Sequence, residues 1–204
     1  MKLMSALLAA ALSLTAAPLL AKVEIGQPAP AFRLSDSNGK TRTLDEFKGK
    51  TVVLEWTNAE CPFVRKHYES GNMQAQQKEA TKAGVVWLSI NSGARGKQGD
   101  IDGEAANELI RDNGSAQTAY LLDPEGETGR AYGASVTPHM YIIDGEGVLR
   151  YRGGIDSILS ADQADIPKAT QYVRQALAEL AGGKPVSVPV SQPYGCSIKY
   201  AAKS

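Results

Sequence analysis

The chain has 204 residues, enough for one domain of ordinary size with a short appendage. Hydrophobic residues make up 43% and charged residues 22%, the balance of a packed core, which excludes wholesale disorder. Lys+Arg and Asp+Glu both number 22 and no run of like charges appears, so the chain offers nothing to a nucleic acid.

Lys2 precedes an uncharged run rich in Ala and Leu, from Met4 to Leu20, near the lower length limit for a membrane span. With the small Ala21 behind it, this run reads as a secretory signal over residues 1–21, and the competing reading is an uncleaved anchor. Leu19 is a poor residue three positions before the cut, which leaves the cleavage point soft. Both cysteines, Cys61 and Cys196, follow the signal. An exported chain meets an oxidising compartment, where an even cysteine count suggests a disulfide, while a single pair leaves stability to the core.

Phe32–Leu34 and Thr41–Leu44 flank the turn signal Ser37-Asn38-Gly39-Lys40 and predict a hairpin. Thr51–Thr57 and Val85–Ile90 are short apolar runs that read as buried strands. Between them, Cys61 to about Lys82 is helix-friendly, with Gly71 as a kink or break. Ser92–Asp102 is a Gly-rich surface loop, Gly103–Asp112 a helix, Ala119–Leu122 a strand and Glu127–Tyr132 a short helix. Met140–Ile143 and Val148–Arg152 flank Asp144-Gly145-Glu146-Gly147 as a second hairpin. Ile166–Ala181 carries Ala169, Tyr172, Val173, Ala176, Leu177 and Leu180 at three- and four-residue steps, which predicts one amphipathic helix stopped by Gly182-Gly183. The remainder carries three prolines and Cys196 and reads as an extended tail. Helices alternating with strands that end in a hairpin imply an α/β sheet of mixed direction.

Cys61 follows a buried strand and opens a helix, and Pro62 suits the first helical turn. A cysteine there meets the free N–H groups and positive end of the helix, which favours thiolate. Glu55 lies in the preceding strand; buried, it would have a raised pKa suited to proton exchange, and on the other face of the strand it would meet solvent. His67 and His139 invite a metal reading with the cysteines, copper or zinc, but no close-spaced pair of ligands exists, so neither metal nor cofactor is assigned. Met73 and Met140 read as ordinary packing residues.

Gly26–Phe32, with Leu34, Asp36, Gly39-Lys40, Leu44 and Phe47–Lys50, resembles the opening of the redoxins, the thioredoxin-fold group of peroxiredoxins and TlpA-like thiol–disulfide proteins. Val53–Trp56 through Cys61-Pro62 continues the resemblance, as do Leu122-Asp123-Pro124 with Gly126, Ala131–Gly133, Val136–Pro138, and Ile142–Asp144 with Gly147. It runs from about Glu24 to Ile155. It implies a thioredoxin-like α/β sandwich, a mixed central sheet flanked by helices with an N-terminal hairpin. The divisions are then a signal at 1–21, a redoxin domain at 22–181 and a Pro-rich tail at 182–204.

Two departures bear on the chemistry. Thioredoxins carry two cysteines separated by two residues, but here Val64 holds the second position, so no disulfide forms within the motif. The same position is the peroxidatic one of peroxiredoxins, which makes peroxide turnover the weakest enzymatic variant. The chain resembles a redoxin branch that pairs an early Cys-Pro-Phe-Val with a late Gly-Cys-Ser-Ile-Lys, here Gly195–Lys199. The resemblance implies an exported thiol–disulfide oxidoreductase or antioxidant protein of a Gram-negative periplasm. In it Cys61 is the nucleophile, Cys196 the resolving cysteine and Glu55 the proton carrier, and Thr137 with the cis-proline position Pro138 seats a partner chain. Its partners would be protein thiols or disulfides and a membrane or periplasmic reductant, with the oligomeric state open. A Cys61–Cys196 bond is equally consistent with a structural clamp in a non-enzymatic binding module, and a copper-chaperone reading stands third.

Overall fold

The computed structural model describes residues 23–202. The expected signal, together with Lys22, lies outside them. β1 (Arg33–Asp36) and β2 (Thr41–Thr43) form the first hairpin, closed by the Asp36 carboxylate, which accepts the N–H groups of Asn38 and Lys40 at 3.0 and 2.9 Å. A 3-10 turn at Leu44–Phe47 leads into β3 (Val52–Trp56), buried along its whole length. The helix-friendly stretch after Cys61 divides into α1 (Pro62–Glu69) and α2 (Asn72–Lys82). Gly71 breaks it in the left-handed region at φ +76°, where a side chain would be strained.

β4 (Val86–Asn91), α3 (Gly103–Asn113), β5 (Ala119–Leu122) and α4 (Glu127–Tyr132) follow as the pattern predicts. β6 (Val136–Thr137) precedes the second hairpin, β7 (His139–Ile143) and β8 (Leu149–Gly153). The last predicted helix begins six residues late. Gln163–Lys168 is a 3-10 turn containing Pro167, Ala169 is extended, and α5 spans Tyr172–Ala181. Proline lacks the N–H that a continuous helix needs, so the stripe at 166–169 is not propagated into α5.

Seven strands form one sheet in the order β2-β1-β5-β4-β3-β7-β8, parallel across β3, β4 and β5 and antiparallel elsewhere. Alternation along the strands fills both faces. Val52, Leu54 and Trp56 of β3 join Leu88, Ile90, Leu121, Tyr132 and Tyr141 on one side. Val53 meets Trp87, Met73, Ala80, Met140, Val173 and Ala176 on the other, under α2 and α5. This is the expected thioredoxin-like sandwich with its N-terminal hairpin. The tail is extended, as predicted, and packs on the domain: Arg152 and Pro189 join by a backbone bond, and β9 (Cys196–Ser197) pairs antiparallel with β6.

Candidate active site

β3 ends at Trp56, and the chain crosses Thr57–Glu60 to deliver Cys61 as the N-cap of α1, with Pro62 in the first turn. The extended backbone of Cys61 leaves its carbonyl to accept the N–H groups of Val64 and Arg65 at 3.0 and 2.9 Å. Its side chain is wholly buried. The thiol donates to the Thr137 carbonyl at 3.2 Å, and the Cys196 N–H donates to the Cys61 sulfur at 3.3 Å. The fold thus brings together four of the five residues singled out from the sequence: Cys61, Cys196, Thr137 and Pro138. The Thr137–Pro138 bond is cis, as the position of Pro138 implied.

Thr137 lies directly opposite Cys196 in the β6–β9 register. The edge on which a partner's backbone was expected to pair is therefore filled by the protein's own tail. Gly195 makes this approach possible: it sits at φ +135°, and a Cβ there would overlap the Thr137 carbonyl. Ile198 N–H to Ser135 O at 3.0 Å and Ala94 N–H to Lys199 O at 2.9 Å hold the segment beyond Cys196, the latter against the Gly-rich loop.

Both cysteines are free thiols, in different electrostatic states. Burial pushes Cys61 up, but hydrogen bonds from the Cys196 side chain, the Val64 N–H, Thr137 and the Cys196 N–H outweigh it and hold its pKa below the usual thiol value. Burial, the hydrogen bond to Cys61 and the charge of Cys61 push Cys196 up to about 12. The pair is arranged as one sulfur whose pKa is lowered and a partner held protonated beside it.

Glu55 resolves to the buried alternative and lies apart from the pair. Its carboxylate accepts Trp87 Nε1 at 2.8 Å, Ser89 Oγ at 3.0 Å, Gln77 Nε2 at 3.3 Å and Tyr68 Oη at 2.9 Å. Neither cysteine is among these partners. Burial raises its pKa against the lowering effect of the four donors. His67 faces Tyr194 and Asn72, and His139 packs on Tyr141 with ring centroids 4.7 Å apart. Burial lowers both histidines to about 4 and keeps them neutral. Among the described residues no cluster of three or more His, Cys, Asp or Glu side chains is placed to hold a metal ion.

Sequence reasoning read Gly195 only within its motif and missed Tyr194, which accepts from Lys66 Nζ at 3.5 Å and donates to Asp156 Oδ1 at 2.5 Å. Gly195 beside a late cysteine was a readable sign of close backbone approach. Lys66 was not readable, because a lysine in a polar helix reads as a surface residue.

The AhpC/TSA family model matches residues 25–152. Over 137 residues the chain is 28% identical to the thiol:disulfide interchange protein DsbE of Yersinia pestis, covering 66% of this chain and 66% of that one, just under two thirds of its length. The solved structure of a hypothetical protein from Sinorhizobium meliloti 1021 is 26% identical, with a TM-score of 0.75 over 89% of this chain and 97% of that one. The thioredoxin domain of a thiol-disulfide oxidoreductase from Bacteroides vulgatus shares the fold, with a TM-score of 0.52 at 20% identity over 72% of this chain and 97% of that one.

Proposed function

Because the chain belongs to the AhpC/TSA family, a thioredoxin-fold redoxin family, we propose that it is a thiol–disulfide oxidoreductase working through Cys61 and Cys196. The observation that carries this reading is the Cys196 N–H on the Cys61 sulfur, with Cys61 held toward thiolate and Cys196 held protonated. The similarity to an interchange protein supports it.

In the reducing direction the Cys61 thiolate attacks one sulfur of a partner disulfide. A bond forms between Cys61 and that sulfur, and the second partner sulfur leaves as thiolate. Neutralising Cys61 in this way removes its charge, one of the effects that, behind burial, raise Cys196. Cys196 then passes its proton to the departed partner thiolate and attacks the Cys61 sulfur, forming Cys61–Cys196 and releasing the first partner sulfur as thiolate. Two protein thiols are oxidised and one disulfide is reduced to two thiols. The raised pKa keeps Cys196 protonated in the first step, and the loss of the Cys61 charge eases its entry into the second.

Thr137 and Pro138 seat the chain that reaches Cys61, and in the resting protein that chain is the tail. Glu55 sits behind α1 with its pKa raised by burial, linked to the helix through Tyr68, and serves as the proton carrier. The partners are proteins bearing thiols or disulfides, with a periplasmic or membrane-bound reductant returning the electrons. Residues 1–21 direct export, 22–181 form the redox domain and 182–204 the arm that carries Cys196.

The test is equilibration of the full chain in glutathione buffers, with the thiols trapped and weighed. A Cys61–Cys196 couple between about −120 and −270 mV is the expected outcome. A bond that resists opening to below about −300 mV makes the pair a structural clamp. Cys61→Ser should abolish exchange, and full activity in that variant would end the proposal.

A further inference from the structure

Tyr194, two residues before Cys196, is 6% exposed and saturated with partners. Its hydroxyl donates to Asp156 Oδ1 at 2.5 Å, and Lys66 Nζ donates to it at 3.5 Å. His67 Nε2 lies 3.2 Å away. The other ring nitrogen of His67 faces the Asn72 amide nitrogen at 2.8 Å, so Nδ1 accepts and Nε2 carries the proton toward Tyr194. A phenolic hydroxyl has one donor and two acceptor positions, and all three are used. The ring packs edge-on against Phe63 at 5.8 Å between centroids, with Lys66 Nζ 5.5 Å from its own centroid.

Phe63, Lys66 and His67 all belong to α1, the helix that Cys61 caps. Lys66 spends its remaining donors on Asp156 Oδ2 at 3.3 Å and the Ile158 carbonyl at 3.2 Å, and the Lys66 and Asp156 side chains are both fully buried. A buried ion pair adds little net stability over apolar packing, because desolvation offsets the attraction. What this network fixes is direction: each bond has one geometry, and together they leave Tyr194 one place to sit. Gly195 then lies against the Thr137 carbonyl, and the Cys196 N–H falls on the Cys61 sulfur.

We infer that Tyr194 is the positioning residue of the resolving step, holding Cys196 at the Cys61 sulfur through α1 and Asp156. This rests on the exchange reading above. Tyr194 touches neither reacting sulfur; it sets how concentrated Cys196 is at Cys61.

The experiment measures the closure constant of the full chain against oxidised glutathione. Two protein thiols and one glutathione disulfide give the Cys61–Cys196 bond and two reduced glutathiones, followed by thiol trapping and mass. Tyr194→Ala should lower the constant about tenfold or more, since small misplacements of a reacting group carry penalties of that order. Tyr194→Phe, which keeps the ring and loses the hydroxyl, should lower it by roughly threefold. The control is the Cys61–glutathione mixed disulfide in a Cys196→Ala background, whose constant Tyr194→Ala should leave unchanged. Equal closure constants in wild type and a folded Tyr194→Ala overturn the inference and leave the exchange reading standing. A control that shifts as far as closure does also overturns it, because the residue then acts on Cys61 in general. If Tyr194→Ala fails to fold, an unchanged constant in Tyr194→Phe overturns the inference. A wild type that never closes overturns both readings.

Discussion

Cys61 and Cys196 carry one functional group with pKa values moved in opposite directions, and each moves the other. The largest effect lowering the Cys61 pKa is the hydrogen bond from the Cys196 side chain. Cys196→Ala removes that donor, so the pKa of Cys61 should rise and its alkylation by iodoacetamide at neutral pH should slow several-fold; a rate–pH profile of the two proteins reads this directly. Glu55→Gln puts an amide N–H₂ where four donors already point, and should destabilise the fold by about 1–3 kcal/mol in a denaturant titration. Cys61 was legible in the sequence because Cys-Pro after a buried strand describes a helix N-terminus in residue types alone. The burial of Glu55 was not, because strand parity becomes a face only when β4, α1 and α2 close over it. Lys66 and Asp156 were still less legible, lying 90 residues apart and reading singly as surface charges.

At the scale of elements, the site depends on a two-residue pairing, β6 with β9. Gly195→Ala places a methyl group on the Thr137 carbonyl and should force that pairing open. The expected result is faster hydrogen exchange at the Cys196 and Ile198 amides, with a loss of Cys61–Cys196 closure of about tenfold or more. Hairpins, buried strands and the break at Gly71 were readable because turn chemistry and period are local properties. The late start of α5 was hidden by a stripe whose spacing runs through Pro167 without regard to its missing N–H. β9 had no local signature at all. Two residues in a Pro-rich tail become a strand only by finding β6.

For the molecule as a whole, two buried histidines contribute to the response to acid. His67 and His139 titrate near 4 in the folded protein, below the ordinary value of about 6.5, chiefly through burial. The unfolded chain therefore binds more protons in this interval. Their contribution to stability is complete above about pH 6.5 and is lost as pH falls through 4. The melting temperature should drop across that window, and His139→Gln should flatten the drop. Closing Cys61 to Cys196 ties residues 135 apart and should stabilise the oxidised protein by roughly 5 kcal/mol against denaturant on the chain-entropy argument. The same span has a consequence in time. A chain is made from its amino end at about 5–20 residues per second, so Cys196 is synthesised roughly 7 to 27 seconds after Cys61. Throughout that interval Cys61 exists without the donor that lowers its pKa, and a chain cut short before Tyr194 never acquires it. Cys61 gains that donor in one step, when the finished chain is released and the tail can first reach β6.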